Sequence, residues 1–269
     1  MSLTTNDVIT EDFVRETVEE VLQENLVYRQ AFQSISATGI QSNSYTFNVD
    51  LDNMGSPSVV AEGEEFERDR SGIEQITVTF KKYGGEVAIT MESMEDGLID
   101  FKAREVEDLA RAMAEKLNDE AYEELSANVK ATVGSNSGTL TFGDIRDGMI
   151  EVRSDSYDPD LLIVDLDGYG DLLTDDNFNR ATDAGDEVVD TGQVGQIAGM
   201  DVVIDTTRDI AGGRGCFLVD TDEFGYELTR TPVSTNEYED PERQADIMQI
   251  FTRMSWKAIF PDAAVKVEA

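Results

Sequence analysis

Apolar and polar residues alternate most clearly between positions 44 and 51. Tyr45, Phe47, Val49 and Leu51 are apolar, and Ser44, Thr46, Asn48 and Asp50 are polar. Period two predicts a half-buried strand. Gly55-Ser56-Pro57 ends it, because proline has no N–H to give a ladder. Residues 62–70 then hold Glu62, Glu64, Glu65, Glu67, Arg68, Asp69 and Arg70 around a lone Phe66, the pattern of a solvated tip. The return run alternates at Ile76, Val78 and Phe80, breaks at Gly84-Gly85, and resumes at Val87, Ile89 and Met91. The pattern predicts a two-stranded ribbon, and two strands alone are marginal in water. The ribbon therefore needs support, either from its own domain's sheet or from another copy of the chain.

The period then changes to that of a helix. Val106, Leu109, Ala110, Met113, Ala114, Leu117 and Ala121 recur three and four apart, with Glu105, Asp108, Glu115, Asp119 and Glu123 opposite. Asp96 or Asp100 can cap it. No proline or glycine interrupts 98–128, so the helix can reach about 45 Å. Its cations, Lys102, Arg104, Arg111 and Lys116, are expected to pair along the helix.

Earlier in the chain, Phe13, Val14, Thr17, Val18, Val21, Leu22 and Leu26 predict an amphipathic helix over 7–33. The polar stretch 34–44 reads as a linker behind it. Later, Thr141 is placed to cap a short helix containing Ile145, Met149 and Ile150. Leu161-Leu162-Ile163-Val164 reads as a fully buried strand, followed by a short helix over 169–173. Residues 181–199 read as a long loop. Strands are expected at 201–204, 216–219 and 226–229, over 245–260, and at Ala263, Val265 and Val267.

Charge narrows the function. Acidic residues number 57 against 21 basic, a net charge of −36. The acid is spread along the chain, and 40% of residues are apolar and periodic, so the chain is ordered. This composition reads as adaptation to molar salt, where the Debye length falls to about 3 Å. A basic stripe for reading nucleic acid is absent from the sequence. With no histidine, Ser-His-Asp and Cys-His schemes fail, as do the usual zinc and non-haem iron sites. Asp165-Leu166-Asp167-Gly168 and Asp220-Thr221-Asp222 approach calcium loops but miss the ligand register. Carboxylate pairs for glycoside hydrolysis stay open, with no pair nominated. The one cysteine, Cys216, lies in an apolar run and reads as a small buried hydrophobe. No apolar run reaches membrane-spanning length and no signal sequence is seen, so the expectation is a soluble protein made in the cytosol.

The order of parts resembles the major capsid proteins of tailed viruses, the Hong Kong phage-type capsid fold that encapsulin shells share. Four stretches carry the resemblance. Residues 82–92 (Lys82-Tyr83-Gly84-Gly85-Glu86-Val87) resemble the end of the family's extended loop, and Leu161-Leu162-Ile163-Val164 before Tyr169 and Leu172 resembles the opening of its axial domain. Gly195-Gln196-Ile197-Ala198-Gly199-Met200-Asp201 is similar to a loop returning into an axial strand, and Ile259-Phe260-Pro261-Asp262-Ala263 through Val267 to the family's last strand.

The resemblance implies an α+β fold with an N-terminal arm at 1–42, an extended loop at 43–91, a peripheral domain from 92–138 and 227–269, and an axial domain at 139–226. It implies a structural protein that self-assembles as pentamers and hexamers into an icosahedral shell around double-stranded DNA, without catalytic or cofactor-binding residues. Any metal is left unknown. The expected partners are other copies, with scaffold, portal and decoration proteins, and DNA held without sequence-specific contact; no membrane is involved. The expected location is the virion capsid, after synthesis in the host cytoplasm. The acidity points to a virus of halophilic archaea. The chain has no room for a long cleaved scaffolding segment. Lys81 and Lys82 lie at the base of the loop, so the covalent crosslinking of some relatives is not carried over. The alternatives are an encapsulin-type compartment or an acidic halophilic enzyme.

Overall fold

The computed structural model describes residues 27–51, 72–90, 101–134, 138–174 and 196–269. The expected helix over 7–26, the ribbon tip, the helix caps at Asp96 and Asp100, and the loop over 181–195 lie outside these residues.

The long helix α1 (Phe101–Ala127) organises the molecule. Val106, Ala110, Met113, Ala114, Leu117, Ala121 and Leu125 are buried along one side, as the period required. That side packs on two sheets. One is six-stranded, in the order β5-β12-β9-β6-β8-β7. These strands are β5 (Thr132–Val133), β6 (Leu161–Asp165), β7 (Gln196–Ile197), β8 (Met200–Asp205), β9 (Gly215–Val219) and β12 (Ala264–Glu268). Leu161, Ile163, Phe217 and Val219 join the core under α1. Leu162, Val164, Cys216, Leu218, Val265 and Val267 join a second core with helices α2 (Phe142–Ser154) and α3 (Leu166–Thr174). Both faces are covered, so β6 is buried at every position and reads as an unbroken apolar run. Helix α2 starts where Thr141 predicts. The Asp144 N–H donates to Thr141 Oγ1, and the Thr141 N–H donates to the Asp144 carboxylate at 3.0 Å.

The other sheet has four strands in the order β1-β10-β11-β4. Its members are β1 (Gln33–Ser36), β4 (Lys81–Thr90), β10 (Gly225–Asp240) and β11 (Ala245–Ala258). Strands β2 (Ser44–Leu51) and β3 (Gly72–Thr79) form a separate antiparallel ribbon.

Three expectations are corrected. Residues 27–33 do not continue a helix: Tyr28–Ala31 make a single 3₁₀ turn and the chain then enters β1. Tertiary contact overrides helical propensity here. The Tyr28 N–H donates to Asn118 Oδ1 at 3.1 Å and its hydroxyl to Asp205 at 2.6 Å. Secondly, 34–36 is no linker but part of β1, pairing in parallel with Tyr226–Thr229 of β10. Thirdly, the pairing of the ribbon ends at Thr79, and the run expected to resume at Val87 and Ile89 after Gly84-Gly85 is not part of it. The next strand, β4, leaves it and pairs antiparallel with β11 through Gly84 and Gly85. A Cβ on Gly85 would stand 2.7 Å from Leu109 Cδ1, so the glycine lets α1 approach the strand.

β4 lies in the four-stranded sheet, and β12 and β5 lie in the six-stranded one. Strand β10 is longer than the apolar residues at 226–229 indicated. Its pairing with β11 shifts between Thr229 and Ser234, next to Pro232, beyond the reach of β1, where no described strand pairs with that edge of β10.

Candidate assembly interface

The residues singled out by chemistry turn out to be structural. Asp165 of the first calcium-like stretch is 1% exposed, and its carboxylate accepts N–H bonds from Gly168 (2.7 Å), Gly215 (3.0 Å) and Ile210 (3.1 Å). Burial raises its pKa while those three bonds oppose the rise. Asp220 of the second accepts from the N–H of Asp158 at 2.9 Å and of Asp222 at 3.2 Å. Among the described residues no group of three or more acidic or cysteine side chains could hold a metal ion. Cys216 is buried and free, and burial pushes its thiol up. Among the described residues no helix is long and apolar enough to cross a membrane.

Two buried carboxylates that no sequence pattern marked fix the start of the described chain. Glu227 has no exposed surface; Arg29 Nε meets it at 2.9 Å and Trp256 Nε1 donates to it at 3.2 Å. Burial raises its pKa, and Arg29 counters. Asp205, 1% exposed, accepts from Tyr28 and from the N–H and hydroxyl of Thr207. The Arg208 guanidinium lies over the rings of Tyr122 (5.1 Å) and Tyr28 (5.7 Å) and pairs with Asp119. Phe32 packs on Phe224 at 5.2 Å. The segment before the ribbon is thereby bolted to both sheets and to α1.

Among the described residues the ribbon is secured at its base. Register places Tyr45, Phe47, Val49, Ile76 and Val78 on one face. Phe47 stacks on Tyr226 of β10 at 5.1 Å, and Val78, Phe80, Ala37 and Leu228 close a small core there. The other face carries Thr46 and Thr77, their hydroxyls 3.2 Å apart, Gln75 donating to Asn48, and Ile73, while Glu74 stands opposite Val49 on the first face. Farther out, Ile73 is 66% exposed. Exposed apolar side chains also occur at two more extremities. Ile150 on α2, with Leu166 and Leu173 on α3, shows on the outside of the six-stranded sheet, and Tyr238 shows near the far end of the β10–β11 hairpin. These side chains lie on three separate parts of one subunit.

Among known proteins, a family described as phage capsid protein matches residues 73–267. The chain belongs to this phage capsid protein family. It is 26% identical over 160 residues to the major capsid protein of Staphylococcus phage phiMR11, which covers 59% of this chain. The chain spans 57% of the length of that curated relative. Among solved structures, the mature capsid of bacteriophage PhiM1 superposes with a TM-score of 0.68 at 16% identity, over 90% of this chain and 86% of that one. The virus-like particle from Pyrococcus furiosus superposes with a TM-score of 0.67 at 13% identity, over 96% and 98%. The fold is thus the α+β Hong Kong phage-type capsid fold that the sequence resembled.

Proposed function

We propose that this protein is a major capsid subunit of a tailed virus, whose copies assemble as pentamers and hexamers into an icosahedral shell around double-stranded DNA. The observation that carries this reading is the ribbon β2–β3. It is a separate two-stranded sheet, anchored among the described residues where Phe47 meets Tyr226 and where Val78, Phe80, Ala37 and Leu228 close a small core. A second subunit lying against the ribbon would bury it.

The role is structural and the protein is not an enzyme. The four-stranded sheet with α1 forms the peripheral body. The six-stranded sheet with α2 and α3 forms the axial body, which converges on the local symmetry axis through Ile150, Leu166 and Leu173. The ribbon β2–β3 belongs to the extended loop. The evenly spread acid supports a host living at high salt, with synthesis in the host cytoplasm and residence in the virion. Other copies are the principal partners; scaffold, portal and decoration proteins remain to be sought biochemically. DNA is enclosed without base-specific contact.

Negative-stain microscopy of protein purified in molar salt tests the reading. Closed icosahedral particles, or rings of five and six, are expected. A monodisperse monomer or dimer at every salt concentration would sink it. Particles carrying an enzyme cargo in place of DNA would move the protein to the encapsulin-type compartments.

A further inference from the structure

Three cations of the four-stranded sheet stand in a row without an acid. Lys82 of β4 is the register partner of Arg253 of β11, and Arg253 is in turn the partner of Thr231 of β10. Arg230 comes just before Thr231, at a shift in that register, and lies over the Phe80 ring at 5.8 Å. Cations nearby are paired: Lys81 and Lys116 with Glu120, Lys257 with Glu124, and Arg111 with Glu107. Among the described residues no carboxylate pairs with Lys82, Arg230 or Arg253. Arg230 donates only to neutral oxygens, Asn43 Oδ1 at 3.4 Å and the Gln41 carbonyl at 3.5 Å. Like charges opposite one another across strands are destabilising. In a chain with 57 acidic and 21 basic residues, such a row marks a place where an anion arrives from outside.

The row ends in a cavity. Beyond Lys82 the same face of β4 continues with Gly84 and Glu86, opposite Phe251 and Gln249 of β11. Gly84 contributes no side chain, and a cavity of about 330 Å³ opens over it, lined by Lys82, Gly84, Glu86, Gln249 and Phe251. Small-molecule sites fall between about 300 and 1,000 Å³. The Phe251 ring belongs to none of the three apolar cores, and the Lys82 ammonium stands 5.1 Å from its centre. At the far end, Gln249 at 3.0 Å and Tyr238 at 3.5 Å both donate to Glu86 Oε2. Glu86 Oε1 accepts no hydrogen bond among the described residues. From Lys82 to Glu86 the strand advances about 13 Å, so the cavity has a cationic end, an aromatic wall and an accepting end.

We propose that this cavity binds a nucleotide, free or as one unit of single-stranded DNA. Its phosphates meet Lys82, Arg253 and Arg230, its base stacks on Phe251 over Gly84, and its base edge meets Glu86 and Gln249. Guanidinium forks suit phosphate oxygens, and every base has a face to stack on an aromatic ring. Glu86 decides against a plain polyanion such as an acidic peptide, which would satisfy the cations and bring a charge against this carboxylate. It favours a ligand that is anionic at one end and donates N–H at the other, as guanine does. Duplex DNA does not fit, because its base edges are already paired and its stack is closed. The proposal goes beyond the shell reading and does not rest on it.

The test is calorimetric titration of the full-length chain, at one fixed salt concentration, with four probes. These are deoxyguanosine triphosphate, inorganic pyrophosphate, a guanine-containing single strand of ten nucleotides, and the duplex of that strand. The triphosphate and the single strand are expected to bind more tightly than pyrophosphate or duplex. E86Q, at the end remote from the phosphates, should weaken the triphosphate about tenfold and leave pyrophosphate unchanged. F251L should likewise weaken only the triphosphate, by about tenfold. K82Q with R253Q should weaken both. Circular dichroism checks that each variant is folded; Glu86 is exposed, so E86Q carries the test if F251L is not.

Triphosphate and pyrophosphate binding equally, with E86Q and F251L without effect, would reduce the site to an anion patch and overturn the nucleotide. Duplex binding as tightly as the single strand would overturn it in favour of backbone charge alone. Absence of binding by all four probes would overturn it outright. A triphosphate that binds while the single strand does not would assign the site to the free nucleotide, and the reverse to packaged or passing DNA. The shell reading stands or falls separately, by the microscopy.

Discussion

Glu227 has no exposed surface, yet it carries a carboxylate in the middle of a sheet. What keeps it there is Arg29, at 2.9 Å, together with Trp256 and Ser34. Removing one member of a buried pair leaves an uncompensated charge, which costs more than the pair contributes. R29A is therefore expected to lose about 3 kcal/mol in urea unfolding, the low end because Arg29 is partly exposed. The loss should shrink on acidification. Burial already holds the folded Glu227 pKa above its ordinary value. Without Arg29 the folded state binds the proton more readily than the unfolded one, so stability rises as pH falls through that pKa. An R29A deficit that grows toward acid would contradict this account.

Glu120 gives the opposite sign. Burial alone would push it up, but hydrogen bonds from Lys81 and Lys116 outweigh burial and hold its pKa at about 2. Its contribution is present above the ordinary carboxylate range and is lost as pH falls from there toward 2. E120Q should melt about 2 °C below the parent near neutrality. The two should converge near pH 2, and parallel melting curves across the whole acid range would show that Glu120 contributes nothing. Neither carboxylate was legible in the sequence. Each is one acid among 57, and its burial is decided by partners far along the chain.

At the scale of elements, what could be read locally was read correctly. The apolar stripe of α1, the Thr141 cap and the unbroken run of β6 each state their environment within a few residues. What could not be read depends on distant pairing. β1 is Gln33-Ser34-Ile35-Ser36, too polar to announce a strand, and it exists because β10 offers it an edge. The outer half of β10 is polar for a similar reason. Gly84-Gly85 looked like a break because glycine usually ends a strand pattern, whereas here it makes room for Leu109. That difference is measurable. In G85A the new methyl meets the movable end of Leu109, and a cost of about 1 kcal/mol is expected. In G225A it would meet the Lys257 carbonyl oxygen at 2.4 Å and Ala258 Cα at 2.9 Å, which are backbone atoms of the paired strand. That strand cannot retreat without breaking its ladder, so about 3 kcal/mol or more is expected. Equal midpoints for the two variants in urea would show that neither close approach matters.

For the whole molecule the governing quantity is charge. Each subunit carries −36, and the proposed shell would bring many copies into contact. The order of parts was legible in the sequence and led to the right fold. The extremities that expose Ile73, Ile150 and Tyr238 were not, because exposure follows from how the sheets are stacked. These apolar contacts work only if the surrounding carboxylates are screened. The Debye length is about 3 Å in 1 M salt and about 30 Å in 0.01 M, so lowering salt restores repulsion between whole subunits. Within a subunit, the cores beneath α1 and between the six-stranded sheet and its helices depend far less on screening, being apolar. Assembly should therefore fail before folding does. On stepwise dialysis from molar to millimolar salt, with chelator present to exclude bound divalent ions, sedimentation should report particles falling to small oligomers. Far-UV circular dichroism should hold its value until a distinctly lower salt concentration. Particles that survive to millimolar salt would mean that the contacts between subunits do not rely on screening. Simultaneous loss of particles and secondary structure would mean that the subunit has no independent stability for its neighbours to build on.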